Sequence, residues 1–99
     1  MPLAEGDLDD IWRYIESENS EMVADMVIAR IYGVLDVLAS APRIGRVRKE
    51  FPGHPRSFPV RPYSIFYVPD PSAGGVIVWR VLHGARDLSR IVRRPKGRL

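Results

Sequence analysis

Seven side chains in the second half of the chain have the types that cleavage of RNA through its 2′-hydroxyl requires: Arg56, Arg61, Tyr63, Tyr67, Arg80, His83 and Arg86. That reaction needs a base for the 2′ proton, cations for the charge gathering on the phosphorane, and an acid for the leaving 5′ oxygen. His83 can serve as acid or base near neutral pH. Arg56, Arg61 and Arg80 can surround the phosphate, and Tyr63 or Tyr67 can stack a base. The same residues also suit a structural role. A histidine before Gly84 at a strand end can hydrogen-bond the turn. The aromatic residues alternate as a strand with a core face would, and Arg86 can pair with an acid of the N-terminal helices. No P-loop, GxGxxG, HExxH or nucleophile elbow occurs, which argues against NTPase, dehydrogenase, zincin and α/β-hydrolase chemistry. The lack of cysteine rules out disulfides and thiolate metal sites and fits a reducing cytosol. No cofactor or metal is expected.

Charge is distributed unevenly. Residues 1–30 hold eight acidic and two basic side chains, a net of −6, and residues 31–99 hold four acidic and thirteen basic ones, a net of +9. Such a dipolar chain should draw a polyanion or an acidic protein to its later part. No apolar run approaches bilayer length and no signal peptide opens the chain. The expectation is a cytoplasmic protein of one domain over residues 1–99, without a membrane partner.

Hydrophobic spacing places these residues on elements. In "GDLDDIWRYIES", Leu8, Ile11, Trp12 and Ile15 fall on one helical face. Asp7, Asp9 and Asp10 near its start suit the helix dipole and read as capping charge. In the next segment Ala24, Val27, Ile28, Ile31, Val34, Leu35 and Leu38 form an apolar stripe over about five turns. Asn19 or Ser20 can cap this helix, Gly33 costs helicity while allowing close packing, and Pro42 and Gly45 stop it. The short "ENS" link makes the two helices antiparallel neighbours. After Pro42 the period falls to two. "RVRKEF" predicts an edge strand, and "RSFPVR" a strand whose Pro59 requires an edge or a bulge. "YSIFYV" predicts a central strand, and "VIVWRVL" a strand buried on both faces. "ARDLSRIV" predicts a short C-terminal helix, and residues 93–99 a flexible basic tail. The predicted fold is α+β: an N-terminal antiparallel helical hairpin packed on an antiparallel sheet of three to four strands, then a short helix.

Four stretches taken in order, "DLDDIWRYI", "LASAPRIGR", "RSFPVRPYSIFYV" and "VIVWRVLHGARDL", resemble the RelE/ParE superfamily of type II toxins, most closely its ParE branch. The resemblance spans residues 4–92. It implies the helical-hairpin-on-sheet fold and a growth-inhibiting toxin neutralised by a cognate antitoxin encoded beside it. ParE-like members poison DNA gyrase, whereas RelE-like members cleave mRNA in the ribosomal A site. RelE-like enzymes carry a face rich in lysine and arginine with a late catalytic tyrosine or histidine. Here Lys49 and Lys96 are the only lysines and no tyrosine follows Tyr67. Family members also begin with a strand before the first helix, and "MPLAEGDL" leaves that strand short or missing.

Two readings follow from the resemblance. In the first, the chain is a gyrase poison and not an enzyme, touching its target through Arg80, His83, Arg86, Arg90 and Ile91. In the second it is a metal-independent endoribonuclease acting on ribosome-bound mRNA, with His83, Arg61, Arg80 and Arg56 as catalytic groups. In both, a ParD-like antitoxin, acidic and partly disordered, joins it in a hetero-oligomer. Its amphipathic helix is expected in an apolar groove lined by Trp12, Ile15, Leu35, Leu38 and Trp79. The same five residues also fit a plain core.

Overall fold

The computed structural model describes residues 2–84. Helix α1 runs from Pro2 to Glu18 and α2 from Glu21 to Ser40. Four strands follow: β1 (Arg46–Val47), β2 (Arg56–Val60), β3 (Tyr63–Pro69) and β4 (Val76–His83). They form one antiparallel sheet in the order β1-β2-β3-β4. The predicted α+β architecture is therefore present. The expected helix over "ARDLSRIV" and the basic tail lie outside the described residues.

Ser20 starts α2 by accepting the Val23 N–H on its Oγ at 3.2 Å, which satisfies one of the orphan donors of the first turn. Trp12 Nε1 donates to Asp25 Oδ1 at 2.8 Å and ties the hairpin together. Ala24, Ile31 and Leu38, fully buried on one side of α2, meet Ile11 and Ile15 of α1 over Val60, Tyr63, Ile65, Tyr67 and Val81 of the sheet. The sheet's other face is covered by the loop between β1 and β2. Phe51 packs edge-on against Phe66 with centroids 5.5 Å apart, Arg48 lies over both rings, and Gly53 lies under the Trp79 ring.

Three sequence expectations need correction. α1 begins at Pro2 rather than at the start of "GDLDDIWRYIES". Proline suits a first helical turn, where its missing N–H costs nothing, and Ala4 is already buried. Asp7 is consequently in the second turn, and it clasps β4 instead of capping the helix. Third, β4 is buried on both faces only at Val81 and Leu82: it forms a sheet edge among the described residues and the rest of it is half-buried. A register shift between Phe66 and Tyr67 leaves Trp79 as an extra residue opposite β3. Among the described residues α1 is the first element. Pro59 sits in β2, which is an inner strand, but β1 pairs only with Arg56 and Ser57. The ladder therefore needs no donor from Pro59 on that side.

The β3–β4 turn turns on Asp70. Its Oδ1 accepts from Ser72 N, Ser72 Oγ and Ala73 N at 3.0, 2.9 and 3.2 Å. The backbone N–H of Ser72 is the largest cause holding this carboxyl below its ordinary value of 3.8, followed by the Ser72 hydroxyl and the Ala73 N–H. A depressed folded-state pKa contributes stability above the unfolded value and loses it as pH falls through the lowered value. Asp70→Ala should therefore lower the melting temperature at pH 7, and the difference from the parent chain should close below pH 3.8 as the carboxyl protonates. An unchanging difference across that titration would assign the effect to something other than the carboxylate.

Candidate functional surface

The chemistry-bearing residues are pinned by partners that spacing alone does not reveal. Tyr67 is fully buried. Its hydroxyl donates to the Pro42 carbonyl at 2.8 Å and accepts the Gly45 N–H at 2.9 Å. Arg56 Nη1 donates to the carbonyls of Gly45 and Arg43 at 2.8 and 3.1 Å. These two side chains hold the segment that leads from α2 into β1. Arg80 donates from Nε and Nη2 to the two oxygens of Asp7, each at 2.8 Å, and Asp7 Oδ2 also accepts the Val81 N–H at 2.9 Å. The fork-on-fork geometry gives this pair both strength and direction.

Strand parity separates the remaining candidates. Arg80 pairs across the ladder with Phe66 and His83 with Tyr63. An odd spacing of three puts the Arg80 and His83 side chains on opposite faces of β4. Arg56 opens β2 and Arg61 follows its last residue, about 16 Å away at the usual strand rise. One phosphate therefore cannot be reached by Arg56, Arg61, Arg80 and His83 together. What does converge is one end of the sheet. The Arg61 carbonyl accepts from Arg30 Nη2, the Pro62 carbonyl accepts the Gly84 N–H at 2.8 Å, and the His83 ring stands edge-on to Tyr63 at 5.8 Å. Arg30, Arg61 and His83 thus meet where the chain leaves β4. Arg86, Arg90 and Ile91, assigned to the target contact, lie outside the described residues.

The five residues expected to line an antitoxin groove do not share one surface. Ile15 and Leu38 are buried in the core between hairpin and sheet, and Trp12 and Leu35 pack against that core. Trp79 instead stacks on Gly53 of the β1–β2 loop. The described residues contain no group of three or more His, Cys, Asp or Glu side chains placed to hold a metal ion. No described helix is long and apolar enough to cross a membrane.

An exposed apolar strip on α2, formed by Met22, Met26 and Val37, is the surface that the sequence reading overlooked. Its signal is present in the spacing of those residues, but the stronger inner stripe of the same helix already accounts for its amphipathicity.

Comparison with known proteins agrees with this architecture. The family described as the ParE toxin of the type II toxin-antitoxin system, parDE, matches residues 1–88. The chain is 32% identical over 84 residues to Toxin ParE3 of Caulobacter vibrioides, an alignment covering 85% of this chain and 82% of that protein.

Proposed function

Because the chain belongs to the ParE toxin family of type II toxin–antitoxin systems, we propose that it stops growth by poisoning DNA gyrase in the cytoplasm. A cognate antitoxin then holds it inactive in a hetero-oligomer. The contact with gyrase is assigned to the end of the sheet where Arg30, Arg61 and His83 meet, continuing into Arg86, Arg90 and Ile91. The observation that carries this reading over mRNA cleavage is the commitment of Arg56 and Arg80 to the fold: one holds two carbonyls, the other the Asp7 carboxylate. Both cations would have to abandon those partners to serve a phosphorane, at the cost of leaving them unsatisfied.

The test is a supercoiling assay with purified gyrase, ATP, relaxed plasmid and the toxin freed from its antitoxin. Loss of supercoiling with linear plasmid appearing is the expected result. Unimpaired supercoiling at excess folded toxin would refute the gyrase assignment, and mapping of mRNA ends on ribosomes would then be decisive. His83→Ala separates the two chemistries further. As a contact residue beside Tyr63, its loss should weaken gyrase inhibition by no more than about tenfold. An acid–base residue would instead account for about two or more orders of magnitude in a cleavage rate.

A further inference from the structure

Uncompensated positive charge gathers at one corner of the sheet. Residues 37–69 hold six basic side chains, Arg43, Arg46, Arg48, Lys49, Arg56 and Arg61, against one acid, Glu50. That acid is already engaged, because Arg48 Nε donates to its Oε2 at 2.9 Å. Arg56 is turned onto the carbonyls of Arg43 and Gly45, and Arg61 stands beyond the far end of β2. Arg43, Arg46 and Lys49 remain. All three are exposed, and none makes a side-chain hydrogen bond or ion pair among the described residues.

The backbone supplies a further donor at the same place. β1 is an edge of the sheet among the described residues. Arg48 donates its N–H to the Pro55 carbonyl at 2.7 Å, so the alternation of an antiparallel pair turns the Val47 N–H away from β2. That outward N–H lies on an exposed residue directly after Arg46 and two before Lys49. Arginine and lysine side chains together with a backbone N–H are the donors that hold phosphate oxygens of a nucleic acid.

The make-up of the corner separates two kinds of anionic partner. A protein-binding patch has an apolar centre depleted of charge and a polar rim, whereas a DNA-binding patch is polar and strongly positive throughout. Here the exposed apolar residues are Ile44 and Val47, and in sequence they alternate with the cations rather than being enclosed by them. The acidic helix α1 is clasped to β4, at the opposite edge of the sheet. Its charge repels a polyanion and so directs one to the β1 side.

We propose that the β1 edge grips the phosphodiester backbone of duplex DNA through Arg43, Arg46, Lys49 and the Val47 N–H. The inference rests on the gyrase reading and deepens it: the duplex is the one that gyrase holds. Val47 pairs with Arg56, about 16 Å from Arg61 at the usual strand rise. The grip on DNA is therefore separate from the contact with the enzyme at Arg30, Arg61 and His83.

The test uses the full chain freed from its antitoxin and a short DNA duplex over a series of salt concentrations, with binding read by fluorescence anisotropy and folding by thermal melting. The triple variant Arg43→Ala, Arg46→Ala, Lys49→Ala removes no side-chain contact described in the fold, so its melting temperature should stay within about 2 °C of the parent. Its affinity for the duplex should fall at least tenfold. The slope of log affinity against log salt should become shallower by about 2.7, the value for three phosphate contacts. In the supercoiling assay the same variant should be at least tenfold less potent. Equal salt slopes in the two chains, or a folded parent chain that binds no duplex, would overturn the DNA contact and leave the gyrase reading standing. A parent chain that binds the duplex through these residues yet leaves supercoiling intact would overturn the gyrase reading instead. Polyglutamate that displaces the chain as well as the duplex does would mean a surface for acidic protein, and duplex RNA bound more tightly than DNA would mean a surface for RNA; either would overturn the proposal.

Discussion

Gly45→Ala is expected to destabilise the chain by about 3 kcal/mol and to lower its melting temperature by roughly 12–24 °C. A Cβ at this position would stand 2.4 Å from the Tyr67 hydroxyl and 2.8 Å from its ring. Tyr67 is fully buried, so the ring cannot swing aside without disturbing Ile65, Leu38 and the rest of the core. The same hydroxyl bridges the Gly45 N–H and the Pro42 carbonyl, and displacing it leaves both groups without that partner. Tyr67→Phe supplies the internal control. Alone it should cost about 2 kcal/mol through the lost bridge. In the Gly45→Ala background it should cost much less, because it removes the nearest clashing atom. Simple additivity of the two losses would show that the hydroxyl is not what excludes a side chain at Gly45.

Asp7→Ala is expected to cost about 2 kcal/mol, seen as a fall in melting temperature of roughly 8–16 °C. Asp7 is the more buried member of its pair, with 10% of its side chain exposed against 38% for Arg80. Solvent screening at the arginine keeps the effect below that of a fully buried pair. The carboxylate also takes the Val81 N–H, so its removal leaves an edge amide of β4 unsatisfied as well as the guanidinium. Asp7→Asn should fall between the two, since one amide oxygen can still accept from Val81. Arg80→Lys should recover little of the loss caused by Arg80→Ala, because an ammonium cannot reproduce the two-point contact. A melting temperature within about 2 °C of the parent for Asp7→Ala would mean that α1 is held on β4 by apolar contacts alone.

The elements were legible in the sequence to the extent that local period determines them. The stripe from Ala24 to Leu38 and the alternation through Tyr63, Ile65 and Tyr67 each face the core as their spacing required. The start of α1 was misplaced because a cluster of aspartates looks the same whether it caps a helix or reaches across to another element. Only the arrival of Arg80 decides between these for Asp7, and no spacing rule connects two residues so far apart. The structural roles of Arg56 and Tyr67 are illegible in the sequence for a related reason. Arg56 and Tyr67 have residue types suited to RNA, yet their partners are backbone groups of Arg43, Gly45 and Pro42. Side-chain identity carries no record of a carbonyl that folds into reach. The family resemblance rests on whole stretches rather than single residues, and so does not depend on where those carbonyls lie.

The Asp7–Arg80 clasp bridges 73 positions of the chain, whereas the hairpin and the β-meander join elements that follow one another directly. Local pairs close at small entropic cost, and the long loop between α1 and β4 closes at a larger one. This predicts an order of assembly in which the hairpin and the meander form early and docking of α1 onto β4 comes late. A contact made after the transition state governs escape from the native state rather than arrival at it. Loss of the clasp should therefore speed unfolding while leaving the refolding rate nearly unchanged. During synthesis, α1 must wait without its strand until β4 has emerged.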